Sequence, residues 1–477
     1  MVNSMLLDIS GELEIDSEKV PFYFDGRKIK IRKDFKSFIS HRFGVGVSEH
    51  YDIIIGTTDI NRYIAFFGVT YLEGYSLSAQ GWAMSSGNMS PDSLFDFDAI
   101  IFTGNPIDAF FTPKRAISYE KNVIINENEK AFDNTMLLDK IVPRSYVDYV
   151  REFNVTMDNE LITVKLCVYT NYNLKRYERD IGTVTSELVV KFQNTMPIVT
   201  LPKYYLYILD LMKFISFRQN VSFDSIILCK KSDSDTIKGS LTRTANCEFF
   251  VREYKSKYKS DDRSVITYDN LGANISTFFK NVASRRLKGI VDDLYIPETN
   301  LDFEKISYAS FLSCALSFEG EYCRCFPNEK ANTSPIFMTV KSNIISGIST
   351  NNFDYSDLSA GSRKKAVSYH EKYEKAFSLI DSSLEEKFNN IKKRYSKIVS
   401  DFINKALSSE KVSLDNEKIL GSALSEMRNH ISHGNPIPII DIHVVAYRIT
   451  RAFIYVLILD EAEVPHDVIK TIVDRMF

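Results

Sequence analysis

The sequence predicts an α+β protein. A β-rich amino-terminal region of sandwich or barrel type, with a small α/β part, is followed by an all-α helical bundle. Three observations predict this. Hydrophobicity alternates with period two in repeated short runs through the first ~200 residues, the spacing of an all-β sandwich or barrel. Beyond residue 297 apolar residues recur at helical spacing instead. From Lys364 to Glu410 there is neither Gly nor Pro. The expected division is a β-rich domain over 1–200, a mixed α/β extension over 201–296 and the bundle over 297–477.

The elements follow in order. Ile9 to Ile15 alternates apolar and polar residues. Phe22-Tyr-Phe meets the turn Asp25-Gly26, and Lys28 to Arg32 alternates again, which is a hairpin signal. Tyr51–Thr57, Arg62–Thr70, Tyr71–Ala79, Leu94–Thr103 and Leu161–Thr170 continue the strands. Tyr204, Ile208, Leu211 and Ile215 place a helix over Lys203–Phe217. Val221–Leu228 is a strand and Lys230–Lys238 a polar loop, with strands at Glu248–Tyr254 and Arg263–Tyr268. Helices follow over Asn274–Lys288 and Ser307–Phe326, then a loop over Gly347–Gly361 and a long helix over Lys364–Glu410 with at most one break. Ser413 caps the next helix, with Asp415 and Glu417 in its first turn. That helix stops at Gly434-Asn435-Pro436, and Ile440–Asp460 forms the last long helix.

Composition excludes several classes. Of 477 residues, 44% are hydrophobic and 25% charged, and Gly (19) and Pro (13) are scarce, which argues against a collagenous or largely disordered chain. A formal charge of −3 leaves no global basic excess to hold nucleic acid, so any such binding needs a local patch. Six cysteines without a paired framework read as reduced thiols in a cytoplasmic protein. Met1–Ile15 carries Asp8, Glu12 and Glu14 and lacks the basic start of a signal peptide. Ile437–Leu459 is the most apolar stretch. It contains Asp441, His443, Arg448 and Arg451, so a buried bundle helix is expected and no membrane span.

Chemistry concentrates in Arg428-Asn429-His430-Ile431-Ser432-His433. It ends an amphipathic helix whose apolar face is Leu420, Leu424, Met427 and Ile431. Five residues of ideal helix turn by ~500°, so Arg428 and His433 would point ~140° apart were the helix to continue; its end at Gly434 lets His433 swing away. A neutral imidazole can take a proton from a ribose 2′-hydroxyl, because imidazoles titrate near the working pH. A guanidinium can stabilise the charge of the phosphorane. No metal is required, the products are a 2′,3′-cyclic phosphate and a 5′-hydroxyl, and DNA is spared. Cations at a helix C-terminus are also favoured by the macrodipole alone, which is the structural alternative.

Arg428-Asn-His-Ile-Ser-His433 resembles the Arg-x4-6-His signature of HEPN domains, including the Asn directly after the Arg. Phe311-Leu-Ser-Cys-Ala-Leu-Ser-Phe-Glu319 resembles the first HEPN helix of ApeA-like proteins, which carries an acid after an apolar run. Tyr71-Leu-Glu-Gly-Tyr75, Phe95-Asp-Phe97 and Ile107-Asp-Ala-Phe-Phe111 are similar to the pattern of the amino-terminal domain of that family. After the acid, Gly320-Glu-Tyr-Cys323 departs from the basic or aromatic run common in the family. The resemblance implies a bacterial anti-phage ribonuclease of the abortive-infection type. Its bundle is a metal-independent endoribonuclease and its β-rich half a sensor of a phage-derived trigger. It implies His433 as general base, Arg428 as transition-state stabiliser, Asn429 as orienting group and Glu319 as the residue that positions Arg428. It also implies a homodimer in which two motifs form the site. The competing reading is a non-catalytic module that binds RNA or protein, with the Arg/His group a recognition or structural cluster.

Further residues carry chemistry of their own. Leu312, Ala315 and Leu316 put Glu319 on a buried stripe or at its edge, and a buried carboxylate needs a partner, for which Arg428 is the natural candidate. His430 and the basic run Lys392-Lys393-Arg394 are candidate RNA contacts, as are Arg363-Lys-Lys365 and Arg252–Lys259; exposed helix faces or strand ends give the same pattern. Cys314, Cys323 and Cys325 have poor zinc spacing. His430, His433, Asp441 and His443 could in principle ligate a metal, but two prolines lie between them. No cofactor is expected, and the absence of a Gly-rich phosphate loop argues against an NTPase.

Overall fold

A computed structural model describes residues 8–15, 17–26, 28–31, 50–72, 76–86, 95–123, 137–143, 150–158, 160–175, 178–231, 240–250, 266–290, 294–297, 306–327, 335–348, 353–378 and 383–477. The chain divides into two compact units, Met1–Val291 with Ile296–Asn300, and Asp292–Tyr295 with Leu301–Phe477. Strands from 225–249 sit in the middle of the first unit's sheet, so residues 201–291 are part of one body with the strands before them.

The strands of that unit are β1 (Ile9–Ile15), β2 (Glu18–Phe24), β3 (Lys28–Ile31), β4 (His50–Thr58), β5 (Tyr63–Leu72), β6 (Ser76–Ser78), β7 (Gly81–Ser85), β8 (Phe97–Thr103), β9 (Ile117–Val123), β10 (Leu137–Pro143), β11 (Val150–Met157), β12 (Glu160–Lys175), β13 (Glu178–Met196), β14 (Ser225–Lys231) and β15 (Leu241–Phe249). Strands β5-β4-β1-β2-β3-β6 pair in that order, and β6 returns to β5, so six antiparallel strands close into a small barrel. Closure removes the free edges that would template association. The alternation read in Ile9–Ile15 is the barrel's inside and outside: Leu13, Ile15, Val20, Phe22, Phe24 and Phe66 fill the interior.

Opposite β4, strand β5 has two neighbours in succession. Ile64–Phe67 pair with β7, and Thr70–Leu72 with β6. Between them Gly68 adopts a φ of +55°, the left-handed conformation that lets the strand turn from the open sheet into the barrel. From β7 the sheet runs on through β15, β14, β8, β13, β12 and β11, all antiparallel. Asp98 on β8 ties this stretch together. Its carboxylate accepts from Thr195 Oγ1 at 2.6 Å and from the backbone N–H of Lys231 at 2.7 Å. Strands β9 and β10 form a separate pair.

Among the described residues the unit also has four short or medium helices: α1 (Asn105–Phe110), α2 (Leu201–Ser216), α3 (Tyr268–Leu271) and α4 (Ile275–Leu287). Asp210 on α2 holds Arg286 on α4, with Nη2 to Oδ1 at 2.8 Å.

Several expectations are corrected here. The strand placed at Val221 begins at Ser225, because Phe217 ends α2 in the left-handed conformation and the following residues turn the chain back toward β8. Lys230 and Lys231, read as loop by polarity, are in β14. The strand placed at Glu248 starts earlier, as β15 from Leu241, with Thr242 and Arg243 exposed near its start; residues 251–265, including the Arg252–Lys259 run, lie outside the described residues. Tyr268 opens a helix instead of ending a strand, because Thr267 and Asn270 form a capping box. Tyr71 and Leu72 finish β5, and among the described residues Ser76–Ser78 of the next expected strand pair as β6.

The second unit holds α5 (Tyr308–Cys325), α6 (Pro335–Gly347), α7 (Ala360–Ser378), α8 (Leu384–Arg394), α9 (Ser396–Ser409), α10 (Leu420–Ser432), α11 (Asp441–Glu461) and α12 (His466–Met476). The long helix expected over Lys364–Glu410 is three helices. Ser383 starts α8 with a capping box to Glu386, and Tyr395 interrupts the run between α8 and α9. Neither break needs Gly or Pro, so their absence was a poor guide. Helix α12 was not foreseen. Helix α11 is buried at 15 of its 21 positions and packs against α5, α9, α10 and α12. A helix that is apolar all round belongs in a core. Although α11 is long and apolar enough to cross a membrane, its surface is taken up inside the unit.

Gly68→Ala should destabilise the first unit by about 1–2 kcal/mol, the cost of a left-handed non-glycine residue. Gly68→Asn should cost less, because Asn tolerates that conformation better. Thermal unfolding of the two variants checks the order.

Candidate active site

The site grows from how α10 begins and ends. Ser413 caps a 3-10 turn over Leu414–Ile419 that leads into α10. Leu420, Ala423, Leu424 and Met427 are buried. Gly421 lets α8 come close: a Cβ there would lie 3.1 Å from the carbonyl oxygen of Glu385. At the far end Gly434 has a φ of +75°. The N–H of Asn435 donates to the His430 carbonyl at 3.0 Å and that of Gly434 to the Ile431 carbonyl at 3.1 Å. These are the two bonds of a Schellman stop, which Gly makes without strain.

Arg428 leaves this last turn toward α5. Its Nη2 donates to Glu319 Oε2 at 3.3 Å, and its Nη1 to Asn429 Oδ1 at 3.2 Å. The other oxygen of the same carboxylate, Oε1, accepts from Lys387 Nζ at 3.0 Å. One carboxylate is thus shared by two cations from two other helices. The Lys387 side chain is 4% exposed, whereas those of Glu319 and Arg428 are 29% and 31% exposed. Glu319 therefore sits at the edge of the stripe formed by Phe311, Cys314, Ala315, Phe318 and Tyr322, while Leu316 faces outward. The rigidity comes from the neighbours in sequence. Phe318 and Phe388, next to Glu319 and Lys387, meet Phe453 of α11 at 6.1 and 4.8 Å between ring centres. Tyr322 OH accepts from Asn390 Nδ2 at 3.2 Å, a second tie between α5 and α8.

Lys387 was not singled out from the sequence. The signal was present, since Leu384, Phe388 and Ile391 mark the apolar face of α8 and Lys387 lies three residues after the first. A lysine on such a face needs an anion.

His433 caps α10 with φ −91° and ψ 5°, so it stays near the helical track and the reversal falls on Gly434. The expected swing does not occur. His433 is exposed, and its imidazole has no hydrogen-bond partner among the described residues. No hydrogen bond joins it to Arg428, whose guanidinium points to α5. Asn429 is exposed. His430 is partly buried, with Nδ1 3.1 Å from the carbonyl oxygen of Asn435.

The flank of α10 opposite Arg428 lines an open groove of about 370 Å³, with Ile419, Ala423, Glu426, Pro438 and His443 among its walls. Two residues of helix turn by about 200°, which puts Glu426 across from Arg428 and on the side of His430 and His433. Ile419 and Ile440 are exposed on its rim. Buried His443 accepts from the Ile440 N–H at 3.3 Å. Burial holds its imidazole below the usual histidine range, against the pull of Glu426 and the Pro438 backbone.

Among the described residues no group of three His, Cys, Asp or Glu side chains is arranged to hold a metal, so neither set weighed above comes together. Of the basic run on α8, Lys392 donates to the Glu417 carbonyl at 3.2 Å and Arg394 lies 4.3 Å over the Phe326 ring. Lys393 is exposed, as are Arg363, Lys364 and Lys365; the Arg363 guanidinium donates to the carbonyls of Tyr355, Ser356 and Leu358.

Comparison with family models, with curated proteins and with solved structures finds no match. The functional reading therefore stands on the geometry of this cluster and on the motif's resemblance.

Two outcomes follow. Glu319→Ala should cost more stability than Arg428→Ala, about 2–3 kcal/mol, because it leaves Lys387 buried without its carboxylate; urea unfolding of both variants decides. His443 resists a proton that the unfolded chain accepts below about pH 6.5. Its contribution is present above that value and lost as pH falls. His443→Gln should flatten the loss of stability between about pH 7 and 5, measured by unfolding at each pH.

Proposed function

We propose that the helical unit is a metal-independent endoribonuclease of HEPN type, in a protein resembling the ApeA-like anti-phage family. The observation that carries the reading is the pairing of Glu319 with Arg428 at the end of α10, 3.3 Å apart, five residues before an exposed and unengaged His433. In this reaction His433 takes the proton of a ribose 2′-hydroxyl, the 2′-oxygen attacks phosphorus, and the bond to the 5′-oxygen breaks. Arg428 stabilises the phosphorane charge, and Asn429 orients the guanidinium or the phosphate. The departing 5′-oxygen needs a proton from a second acid.

A second copy of the chain supplies it. Within one chain Arg428 and His433 face different ways, so base, acid and charge clamp require two motifs. An isologous dimer brings the same patch of both copies together. The apolar stretch Val445–Leu459 is largely buried inside the unit and does not supply that interface. The exposed Ile419 and Ile440 beside the groove take its place in the proposal, on the flank that also carries His430 and His433. The amino-terminal unit acts as sensor of a phage-derived trigger in the bacterial cytoplasm, and Lys392, Lys393 and Arg394 contribute RNA contacts. The rival, a non-catalytic RNA- or protein-binding module, is favoured by one fact: Lys387, Glu319 and Arg428 would also serve as a purely structural cluster.

Arg428→Ala and His433→Ala should each abolish RNA cleavage with the fold intact, since His433 is an exposed helix end. Cleavage should persist in EDTA and leave 2′,3′-cyclic phosphate ends, read by mapping cut RNA; restoration by a divalent ion after loss in EDTA would point to a metal hydrolase. Ile440→Asp should shift sedimentation from dimer to monomer and lower the rate in parallel.

A further inference from the structure

The shared carboxylate makes a further assignment, which rests on the nuclease reading. Lys387 is buried, and its ammonium occupies Glu319 Oε1 at 3.0 Å. Arg428 reaches only the remaining oxygen, through one terminal nitrogen. A guanidinium beside an unshared carboxylate would normally dock on it with two parallel bonds. Here one half of the carboxylate is already taken. Arg428 is left with Nη1 on a neighbouring amide at 3.2 Å and with a buried Nε that has no partner among the described residues.

We propose that Lys387 is a positioning residue: by occupying one oxygen of Glu319 it limits that carboxylate to a single-point hold on Arg428, which keeps the arginine's terminal nitrogens for a phosphate. Without Lys387, Glu319 would carry an uncompensated charge beside the arginine. It would draw the guanidinium into a two-point grip and lower the positive charge offered to an anion. Without Glu319, Arg428 would lose its hold and Lys387 could no longer act on it. The effect of Lys387 thus runs through Glu319.

The test is a double-mutant cycle with Lys387→Met and Glu319→Gln in the full chain, on an RNA oligonucleotide, with unfolding measured in parallel. Methionine keeps most of the lysine's length and is compatible with a buried site. Lys387→Met should lower kcat by about tenfold or more with KM little changed, since the donors matter most in the transition state. Lys387→Arg should recover most of the rate, and in the Glu319→Gln background Lys387→Met should do nothing more. A second readout needs no RNA. Modification of Arg428 by phenylglyoxal, followed by mass spectrometry, should slow in Lys387→Met and be insensitive to that change when Glu319 is Gln. A wild-type rate in Lys387→Met, an equal loss in both backgrounds, or unchanged modification would overturn the assignment. Arg428→Ala separates the two ideas: if it too cleaves at the wild-type rate, the nuclease reading itself fails.

Discussion

One carboxylate organises the helical unit's candidate site. Glu319 is reached from two other helices, by a buried lysine and by a partly exposed arginine. The two cations differ in what they require. A charge held at 4% exposure must be neutralised, because desolvation is expensive and unpaired burial more so. A charge held at 31% can turn to solvent or to a ligand. The carboxylate's debt is to the lysine, and the arginine takes what remains. That asymmetry makes Arg428 available while keeping it in place.

The support lies one residue away on each helix. Phe318 and Phe388 pack against Phe453 with tilted rings, so the backbones that carry Glu319 and Lys387 are set by aromatic packing on α11. Helix α11 can serve as the common wall because 15 of its 21 positions are buried. Its length and composition would suit a bilayer, and its buried position accounts for that composition instead. Gly421 and Gly434 do the remaining work on α10, one by allowing close approach of α8, the other by ending the helix beside His433.

The amino-terminal unit obeys a different constraint. Six of its strands close a ring, and β5 leaves that ring at Gly68 to continue as an open sheet. The unit is therefore both barrel and sheet, built from one continuous ladder. The polar loop expected at Lys230 and Lys231 fails because backbone pairing with β15 and the Asp98 carboxylate outweigh the polarity of two side chains.

The sequence by itself determined whatever is local and periodic. The Asp25-Gly26 hairpin, the strand at Ile9–Ile15, the helix that Ser307 caps and the stop at Gly434 are each specified within a few residues by alternation, a cap or a left-handed glycine. The Arg428–Glu319 partnership could also be anticipated, since an acid beside an apolar stripe and a lone arginine call for each other. Only the tertiary structure decided what depends on residues far apart. It closed the barrel through β6, broke the Lys364–Glu410 run twice without Gly or Pro, and set Lys387 against Glu319 across 68 residues of chain. It also kept His433 on the helical track, away from Arg428. Periodicity shows which face of an element is apolar. Which buried charge meets which depends on how those faces are brought together, and that is settled by packing.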